Sequence, residues 1–322
     1  MKETKRTHAK VKSILHPRNE HRERYDFPTL IEETPELQNF VKPNKYGDDS
    51  IDFSDAAAVK CLNTALLKKH YRIDFWDIPE GYLVPPIPGR ADYIHYAADL
   101  ITSSNFGRMP ENIIALDLGV GASCIYPIIG VQEYGWNFIA SDTDPKSIEA
   151  SQKITDENTV LKNKIDLRLQ SKPKNKLKGI LKRGERIDVI VCNPPFHGSL
   201  EEANAGSLRK LSNLNKKRVE KVNLNFGGQN AELWCNGGEI KFITHLIDEG
   251  KDFGKSVFWF TTLIAKRNHE EILVRFMKKA GATEVKIILV GQGNKTGRIV
   301  AWTFLDKEEQ SAWRKERWTE KH

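Results

Sequence analysis

The chain of 322 residues has few cysteines and no long apolar run. Its four cysteines are far apart and form no Cys-x-x-Cys pair, which argues against a zinc site and against a disulfide framework, and favours free thiols in a reducing cytoplasm. No apolar run approaches the roughly 18 residues that a membrane-spanning helix needs. The first 15 residues are basic but lack the apolar segment of a secretory signal. We therefore expect a cytoplasmic protein with no membrane segment and no bound metal.

From residue 112 onwards the chain alternates between short apolar strands and helices, the pattern of a parallel α/β sheet. Strands are predicted over 113–118, 137–141, 164–169, 186–192, 256–262, 284–290 and 299–305. Helices are predicted over 123–134, 146–158, 239–249 and 269–280, with a further short helix near 176–181. Residues 197–238, rich in Asn, Lys and Gly, interrupt the pattern as a long insertion, which is typical of a lid or a binding loop.

The region before residue 112 does not alternate between strands and helices. An arm over 1–50 is expected to be extended or rich in turns, and two helices follow, over 52–70 and 91–102. A stiff connector over 79–90, rich in proline and glycine, separates these helices. We therefore divide the chain into an N-terminal region, 1–110, and an α/β domain, 111–322.

The first predicted strand of the α/β domain leads into a glycine turn, Asp117-Leu118-Gly119-Val120-Gly121-Ala122-Ser123. Glycines let the backbone turn tightly and approach a ligand, although they often serve only in turns. Asp142 ends the next strand, where a carboxylate suits a vicinal diol such as a ribose. Because Cys124 occupies the third glycine position, a dinucleotide is disfavoured and S-adenosylmethionine fits better.

A second turn, Asn193-Pro194-Pro195-Phe196, ends the apolar strand 187–192. The two prolines fix φ and remove two donors, so neither a sheet nor a helix can continue. The Asn193 side-chain oxygen and the Pro194 carbonyl could accept both hydrogens of a flat amine, and Phe196 could stack on its ring. By itself the turn leaves adenine and a glutamine amide equally open, and a plain proline-terminated strand end competes with both. Cys192 is expected to point into the core rather than to act as a nucleophile.

Positive charge is in excess and is concentrated in three stretches. The formal net charge is +7 and the sequence pI is about 9.0. Residues 162–186 contain ten Lys or Arg against two acidic residues, residues 209–221 contain six against one, and the first 24 residues are also basic. Most such runs are only solvated faces, but these flank the predicted ligand-binding edge. Their position favours a surface for nucleic-acid phosphates.

Several further segments, together with the two turns, resemble one narrow family. They are PPIPGRADYIHY (85–96), GASCIYP (121–127), Gly237-Gly238-Glu239, Gly291-Gln292-Gly293 and AWTF (301–304). The chain resembles, from about residue 16 to 306, the bacterial 23S ribosomal RNA adenine-N6 methyltransferase F family, related to eukaryotic methyltransferase-like protein 16. The resemblance implies a Rossmann-like S-adenosylmethionine-dependent methyltransferase fold. Its seven-stranded, mostly parallel sheet would end in an antiparallel strand, after a small helical N-terminal region that binds RNA.

The resemblance also implies an activity and a set of site residues. The activity is S-adenosylmethionine-dependent methylation of N6 of a specific adenine in 23S ribosomal RNA, with that RNA or a large-subunit precursor as partner and 197–238 as a substrate loop. Arg90 would bind the methionine carboxylate and Asp142 the ribose. The other cofactor-binding residues would be Asp117, Gly119, Gly121, Ser123 and Asn193, and the catalytic motif would be Asn193, Pro194, Pro195 and Phe196.

Two alternatives stay open beside this interpretation. An Asn-Pro-Pro-aromatic turn can equally hold a carboxamide nitrogen, so a protein glutamine-N5 methyltransferase is the first. A non-catalytic RNA-binding protein that keeps a methyltransferase fold is the second. The basic flanks argue against the first, and the intact Asp142 and Asn-Pro-Pro-Phe turn argue against the second.

Overall fold

The computed structural model of the protein describes residues 15–199, 201–202, 234–292 and 295–319. A small antiparallel hairpin, β1 (Lys42–Pro43) and β2 (Asp49–Ser50), precedes the main sheet. The strands of the main sheet are β3 (Ile114–Leu118), β4 (Asn137–Asp142), β5 (Ile165–Leu169), β6 (Ile187–Cys192), β7 (Val257–Ile264), β8 (Glu284–Gln292) and β9 (Lys295–Thr303). They are ordered β5-β4-β3-β6-β7-β9-β8, and β9 is antiparallel to both of its neighbours. The predicted seven-stranded sheet with an antiparallel last strand is confirmed.

The α-helices of the described residues cover both faces of this sheet. They are α1 (Phe27–Glu33), α2 (Ala56–Tyr71), α3 (Ile87–Ser104), α4 (Ile125–Tyr134), α5 (Pro145–Glu157), α6 (Gly238–Gly250), α7 (Glu270–Lys279) and α8 (Lys307–Trp313). The helix predicted near 176–181 is wrong: turns and an isolated bridge between Lys178 and Leu181 are found instead. Gly179 has a φ of +90°, a left-handed conformation that ends a helix.

Two N-terminal elements also differ from the prediction. The arm contains α1, whose start is capped by Asp26 and whose buried residues Phe27 and Leu30 join the core. Helix α3 begins at Ile87, inside the predicted connector, because proline is tolerated in the first turn of a helix. Arg90 consequently lies within α3 rather than before it.

The core has one part on each face of the sheet. Along β6, Val189 and Val191 pack with residues of α1 to α4, whereas Ile190 and Cys192 pack with residues of α6 and α7. The N-terminal helices and one face of the sheet therefore share a continuous core. The division at residue 110 into two regions stays a prediction.

Asp188 is the one charged residue of β6, and it anchors the C-terminal segment. Its carboxylate is fully buried. It accepts hydrogen bonds from the indole N–H groups of Trp313 (2.9 Å) and Trp318 (2.8 Å), from the Arg317 guanidinium (2.6 Å to Oδ2) and from the Ile114 backbone N–H (2.8 Å). An ionisable side chain is thus tolerated in a strand that is covered on both faces.

Candidate active site

The carboxyl ends of β3, β4 and β6 lie level with one another. Leu118 of β3 pairs with Ser141 of β4 and with Cys192 of β6, so the loops that begin at Gly119 and Asn193 start side by side. From β3 the chain continues to β4 and β5 on one side, and it returns to β6 and β7 on the other. This is the topological switch point at which open α/β sheets bind ligands.

The glycine turn after β3 folds back onto the end of β4. The N–H groups of Gly119 and Val120 both donate to the Ser141 carbonyl oxygen at 2.9 Å. Gly119 has a φ of +91°, and a side chain there would be strained although there is space for one. The Gly121 carbonyl accepts from the Ser151 hydroxyl at 2.8 Å. The protein's own groups therefore hold the turn in shape.

Asp142 joins this turn to the end of β4. Its Oδ2 accepts from the Gly121 N–H and its Oδ1 from the Asp144 N–H, both at 2.9 Å. Burial raises the pKa of Asp142, and these backbone hydrogen bonds lower it. The Thr143 N–H is a third backbone donor to this carboxylate. Because a carboxylate has about four acceptor sites, it can still accept from a hydroxyl group of a ligand.

A cleft of about 920 Å³, measured to its open mouth, lies over these strand ends. Most of the predicted site residues line it, namely Arg90, Gly119, Gly121, Ser123, Asp142, Asn193 and Pro195. At one end the Arg90 guanidinium donates to the Tyr126 hydroxyl at 2.8 Å. The cleft therefore brings together a cation, a carboxylate and a glycine turn.

Three predicted residues do not line the cleft: Asp117, Pro194 and Phe196. Asp117, the residue before Leu118 in β3, is fully buried. Neither of its carboxylate oxygens has a hydrogen-bond partner among the described residues. Burial and the charge of Asp142 raise the pKa of Asp117 well above its usual value, and Arg90 lowers it. A buried carboxylate without a partner is rare in native proteins, and it suits a ligand that brings a positive charge or a hydrogen-bond donor.

The turn after β6 presents a second unpaired acceptor. Asn193 is half-buried, and its side-chain oxygen has no hydrogen-bond partner within the described ranges. Cys192, immediately before it, is fully buried, and burial together with the charge of Asp117 raises the pKa of its thiol to about 12. The thiol is therefore protonated at neutral pH, which agrees with a core position and not with a nucleophile.

Several lining residues were not foreseen from the sequence. Gln170 follows Leu169, which pairs with Asp142, so the strand-end rule would have found it. Lys176, in the loop after β5, and Phe242, in α6, also line the cleft, and the Lys176 ammonium lies 4.3 Å from the centre of the Phe242 ring. These two residues are distant in sequence, and no local pattern connects them.

The predicted basic stretches are placed only in part. Residues 209–221 and most of the first 24 residues lie outside the described residues, whereas 162–186 is described. In that stretch Arg168 is paired with Asp166 and Glu185, but Lys172 and Lys174 are exposed near the cleft and form no ion pair with a described residue. Among the described residues there is no cluster of His, Cys, Asp or Glu suited to a metal ion, and no helix long and apolar enough to cross a bilayer.

The strand order and the cleft at the switch point define a Rossmann-like methyltransferase. A family model described as RNA methyltransferase matches residues 9–306, and the chain belongs to this family. The family predicted from the sequence is thereby confirmed.

Curated relatives cover nearly the whole chain. The chain is 53% identical over 316 residues to the ribosomal RNA large subunit methyltransferase F of Cytophaga hutchinsonii, covering 98% of each protein. It is 50% identical over 319 residues to the protein of the same name from Serratia proteamaculans, covering 98% of this chain and 95% of that protein.

Solved structures of human METTL16 share the fold. The catalytic domain in complex with MAT2A 3′UTR hairpin 1 is similar with a TM-score of 0.76 and 28% identity, covering 91% of this chain and 96% of that one. The N-terminal domain in complex with SAH has a TM-score of 0.72 and 26% identity, covering 91% of this chain and 99% of that one.

Proposed function

We propose that this enzyme transfers a methyl group from S-adenosylmethionine to N6 of an adenine in 23S ribosomal RNA, in the cytoplasm. The relatives at about 50% identity are named as large-subunit ribosomal RNA methyltransferases, which supports the substrate. The observation that carries the proposal is the buried side-chain oxygen of Asn193 at the cleft, which has no hydrogen-bond partner among the residues that the structure describes. An acceptor in that position suits an amine that has two hydrogens to donate.

The lining of the cleft offers groups suited to both ends of the proposed cofactor. The Arg90 guanidinium would pair with a carboxylate at one end, and the Asp142 carboxylate would accept from ribose hydroxyls at the other. Gly119, Gly121 and Ser123 would let the backbone approach between them. Asp117 does not line the cleft, but its carboxyl group, which has no hydrogen-bond partner among the described residues, directly precedes the lining residue Leu118. The ammonium group of a cofactor bound there would stabilise the charged form of this carboxyl group. S-adenosylmethionine held there would supply an electrophilic methyl group.

The turn after β6 would hold the acceptor. Hydrogen bonds from the amine to the Asn193 side chain and to the Pro194 carbonyl would favour a pyramidal nitrogen, whose lone pair is then free to attack. No strong base is needed, because the chain's contribution is positioning and electrostatics. Phe196 would stack on the adenine base after that base has left the stack of its RNA strand.

The RNA backbone would bind around this pocket. Lys172 and Lys174 are exposed in the loop after β5, whose Asn175 and Lys176 line the cleft. The basic stretch 209–221 and the N-terminal region 1–110 would extend the contact. Contacts to phosphates position an RNA and carry little sequence information. The segment 197–238 would form the substrate loop of the catalytic domain 111–322.

Mapping of N6-methyladenine in ribosomal RNA by mass spectrometry tests the proposal. Cells that lack the gene should lose one modified adenine of 23S RNA. The wild-type gene should restore it, and a gene carrying Asn193→Ala should not. An unchanged modification map would overturn the RNA substrate.

Isotope-labelled cofactor separates the alternatives in vitro. Label should enter RNA, whereas label in a glutamine-containing protein substrate alone would identify a glutamine methyltransferase. If calorimetry detected no binding of S-adenosylmethionine, the chain would be a non-catalytic RNA-binding protein.

A further inference from the structure

The end of β6 is not held by the sheet alone. On its β7 side the strand pairs from Ile187, opposite Val257, to Ile190, opposite Phe260, and the pairing stops there. The last two residues before Asn193 therefore lack β7 partners. Two buried hydroxyl groups bond to this end of the strand instead: that of Tyr93, from α3, to the Cys192 backbone, and that of Thr261, from β7, to the Ile190 backbone.

These hydroxyls form a hydrogen-bond chain with a single direction. Thr261 donates its only proton to the Ile190 carbonyl oxygen at 2.6 Å, so its oxygen must accept from the Tyr93 hydroxyl at 2.8 Å. The Tyr93 oxygen in turn accepts from the Cys192 backbone N–H at 3.1 Å. The Cys192 carbonyl oxygen lies 3.4 Å from the same hydroxyl, at the outer limit of a hydrogen bond. The chain runs from the Cys192 N–H through Tyr93 and Thr261 to the Ile190 carbonyl.

The same helix also reaches the cofactor end of the cleft. Arg90 lies three residues before Tyr93 on α3 and donates to the Tyr126 hydroxyl, and the Tyr93 and Tyr126 rings meet edge to face with centroids 5.3 Å apart. Tyr93 and Thr261 are each only 1% exposed, so water cannot easily replace either hydroxyl. Helix α3 thus sets the spacing between Arg90 and the strand end that carries Asn193.

We propose that Tyr93 and Thr261 are positioning residues, which act on methyl transfer by fixing the Val191–Cys192 peptide, the last peptide of β6 before Asn193. The inference rests on the proposed function, and neither residue is assigned a contact with the reacting atoms. A displacement of about 1 Å at a catalytic group can cost roughly 100-fold in rate. Loosening the last peptide of β6 should therefore lower turnover while leaving the cofactor end intact.

The experiment compares single-hydroxyl variants in turnover of labelled cofactor with RNA. Tyr93→Phe and Thr261→Val should each lower kcat by roughly 10- to 100-fold, with the Kd for S-adenosylmethionine within about threefold of wild type. Thr261→Ser, which keeps the hydroxyl, should retain most of the activity. The double variant should be no slower than the worse single one, because both substitutions break the same chain.

Tyr71→Phe is the matched control. Tyr71 is as buried as Tyr93, and its hydroxyl lies 2.9 Å from the His21 ring, in a contact outside the cleft. This variant should lose a similar amount of stability and keep its kcat. Hydrogen exchange supplies a readout that does not depend on activity: the amides at the end of β6 should exchange faster in Tyr93→Phe and Thr261→Val than in wild type or Tyr71→Phe.

The outcomes separate the two proposals. If the wild type fails to label RNA, the proposed function fails, and the exchange data alone decide whether the hydroxyl chain holds β6. If the wild type is active and Tyr93→Phe loses stability but keeps full kcat, the positioning role is wrong. Should Tyr93→Phe fail to fold, equal turnover of Thr261→Val and Thr261→Ser would overturn the inference. In an Asn193→Ala background, Tyr93→Phe should lower turnover no further.

Discussion

Asn193→Ala should separate methyl transfer from cofactor binding. The substitution removes a side-chain oxygen that has no hydrogen-bond partner within the described residues, so it breaks no hydrogen bond between that oxygen and this part of the folded chain. In the proposed reaction this oxygen accepts a hydrogen bond from the amine while positive charge develops on the nitrogen. The effect of the substitution should therefore fall on the transition state.

The size of the effect follows from that assignment. Removing one preorganised polar group that stabilises transition-state charge costs about 2.7–4 kcal/mol, or roughly 100- to 1000-fold in kcat. Stability should change by less than about 1 kcal/mol, because a buried acceptor without a partner already costs free energy in the wild type. The Kd for S-adenosylmethionine should stay within about threefold, because the proposed contact of the Asn193 side chain is with the acceptor amine, and Arg90 and Asp142 are untouched. This outcome would show that the cofactor role implied for Asn193 by the resemblance does not depend on its side chain.

Three measurements on the same samples test this. Single-turnover transfer of labelled methyl to RNA reports the chemical step, calorimetry reports cofactor affinity, and thermal unfolding reports stability. Asn193→Asp is the matched variant: it keeps an oxygen acceptor, so it should retain more turnover than Asn193→Ala. An Asn193→Ala enzyme within fivefold of wild-type turnover, or one that loses cofactor affinity in proportion, would refute the role.

Three further predictions concern charge. The raised pKa of Asp117 means that, above its unfolded value of 3.8, the native state binds more protons than the unfolded chain, so stability falls as pH rises. In the absence of cofactor, the Tm of Asp117→Asn should exceed that of the wild type by more at pH 8 than at pH 4. The variant should also bind S-adenosylmethionine more weakly. An equal difference in Tm at both pH values would contradict the raised pKa. Asp188→Ala should cost about 3–5 kcal/mol in urea unfolding because the partly buried Arg317 guanidinium loses its partner, whereas the exposed Asp166→Ala should cost under about 1 kcal/mol. A small effect of Asp188→Ala would show that the C-terminal segment is held otherwise. Charge reversal at Lys172 and Lys174 should weaken the salt dependence of RNA binding. The slope of log K against log salt concentration should become shallower by roughly 0.7–0.9 for each phosphate that is no longer neutralised. An unchanged slope would mean that these lysines are only solvated.

Much of the fold could be predicted because its signals are local. The strands of the main sheet are short apolar runs, and the helices between them repeat at helical spacing, so chain neighbours suffice to identify both. The errors fall where a non-local contact or a single residue decides: α1 is held by packing of Phe27 and Leu30 into the shared core, and Gly179 prevents a helix near 176–181.

The site was predictable to the extent that it follows strand ends. Gly119, Asp142 and Asn193 each come directly after a strand or end one, and parallel strands bring such residues to one edge. Gln170 obeys the same rule. Lys176 and Phe242 do not, since they reach the cleft from a loop and from the start of a helix on the far side of the insertion.

The sequence by itself determined the alternation of strands and helices, the glycine turn and the Asn-Pro-Pro-Phe turn, because backbone stereochemistry and hydrophobic periodicity act over a few residues. Only the tertiary structure decided which buried polar groups have partners. Asp188 finds its indole and guanidinium donors about 130 residues away, and Tyr93 meets the end of β6 from a helix 99 residues earlier in the chain. Such pairs depend on how the elements pack, and no local pattern encodes them. The same packing leaves Asp117 and Asn193 without hydrogen-bond partners among the described residues; Asn193 lines the cleft, and Asp117 directly precedes the lining residue Leu118.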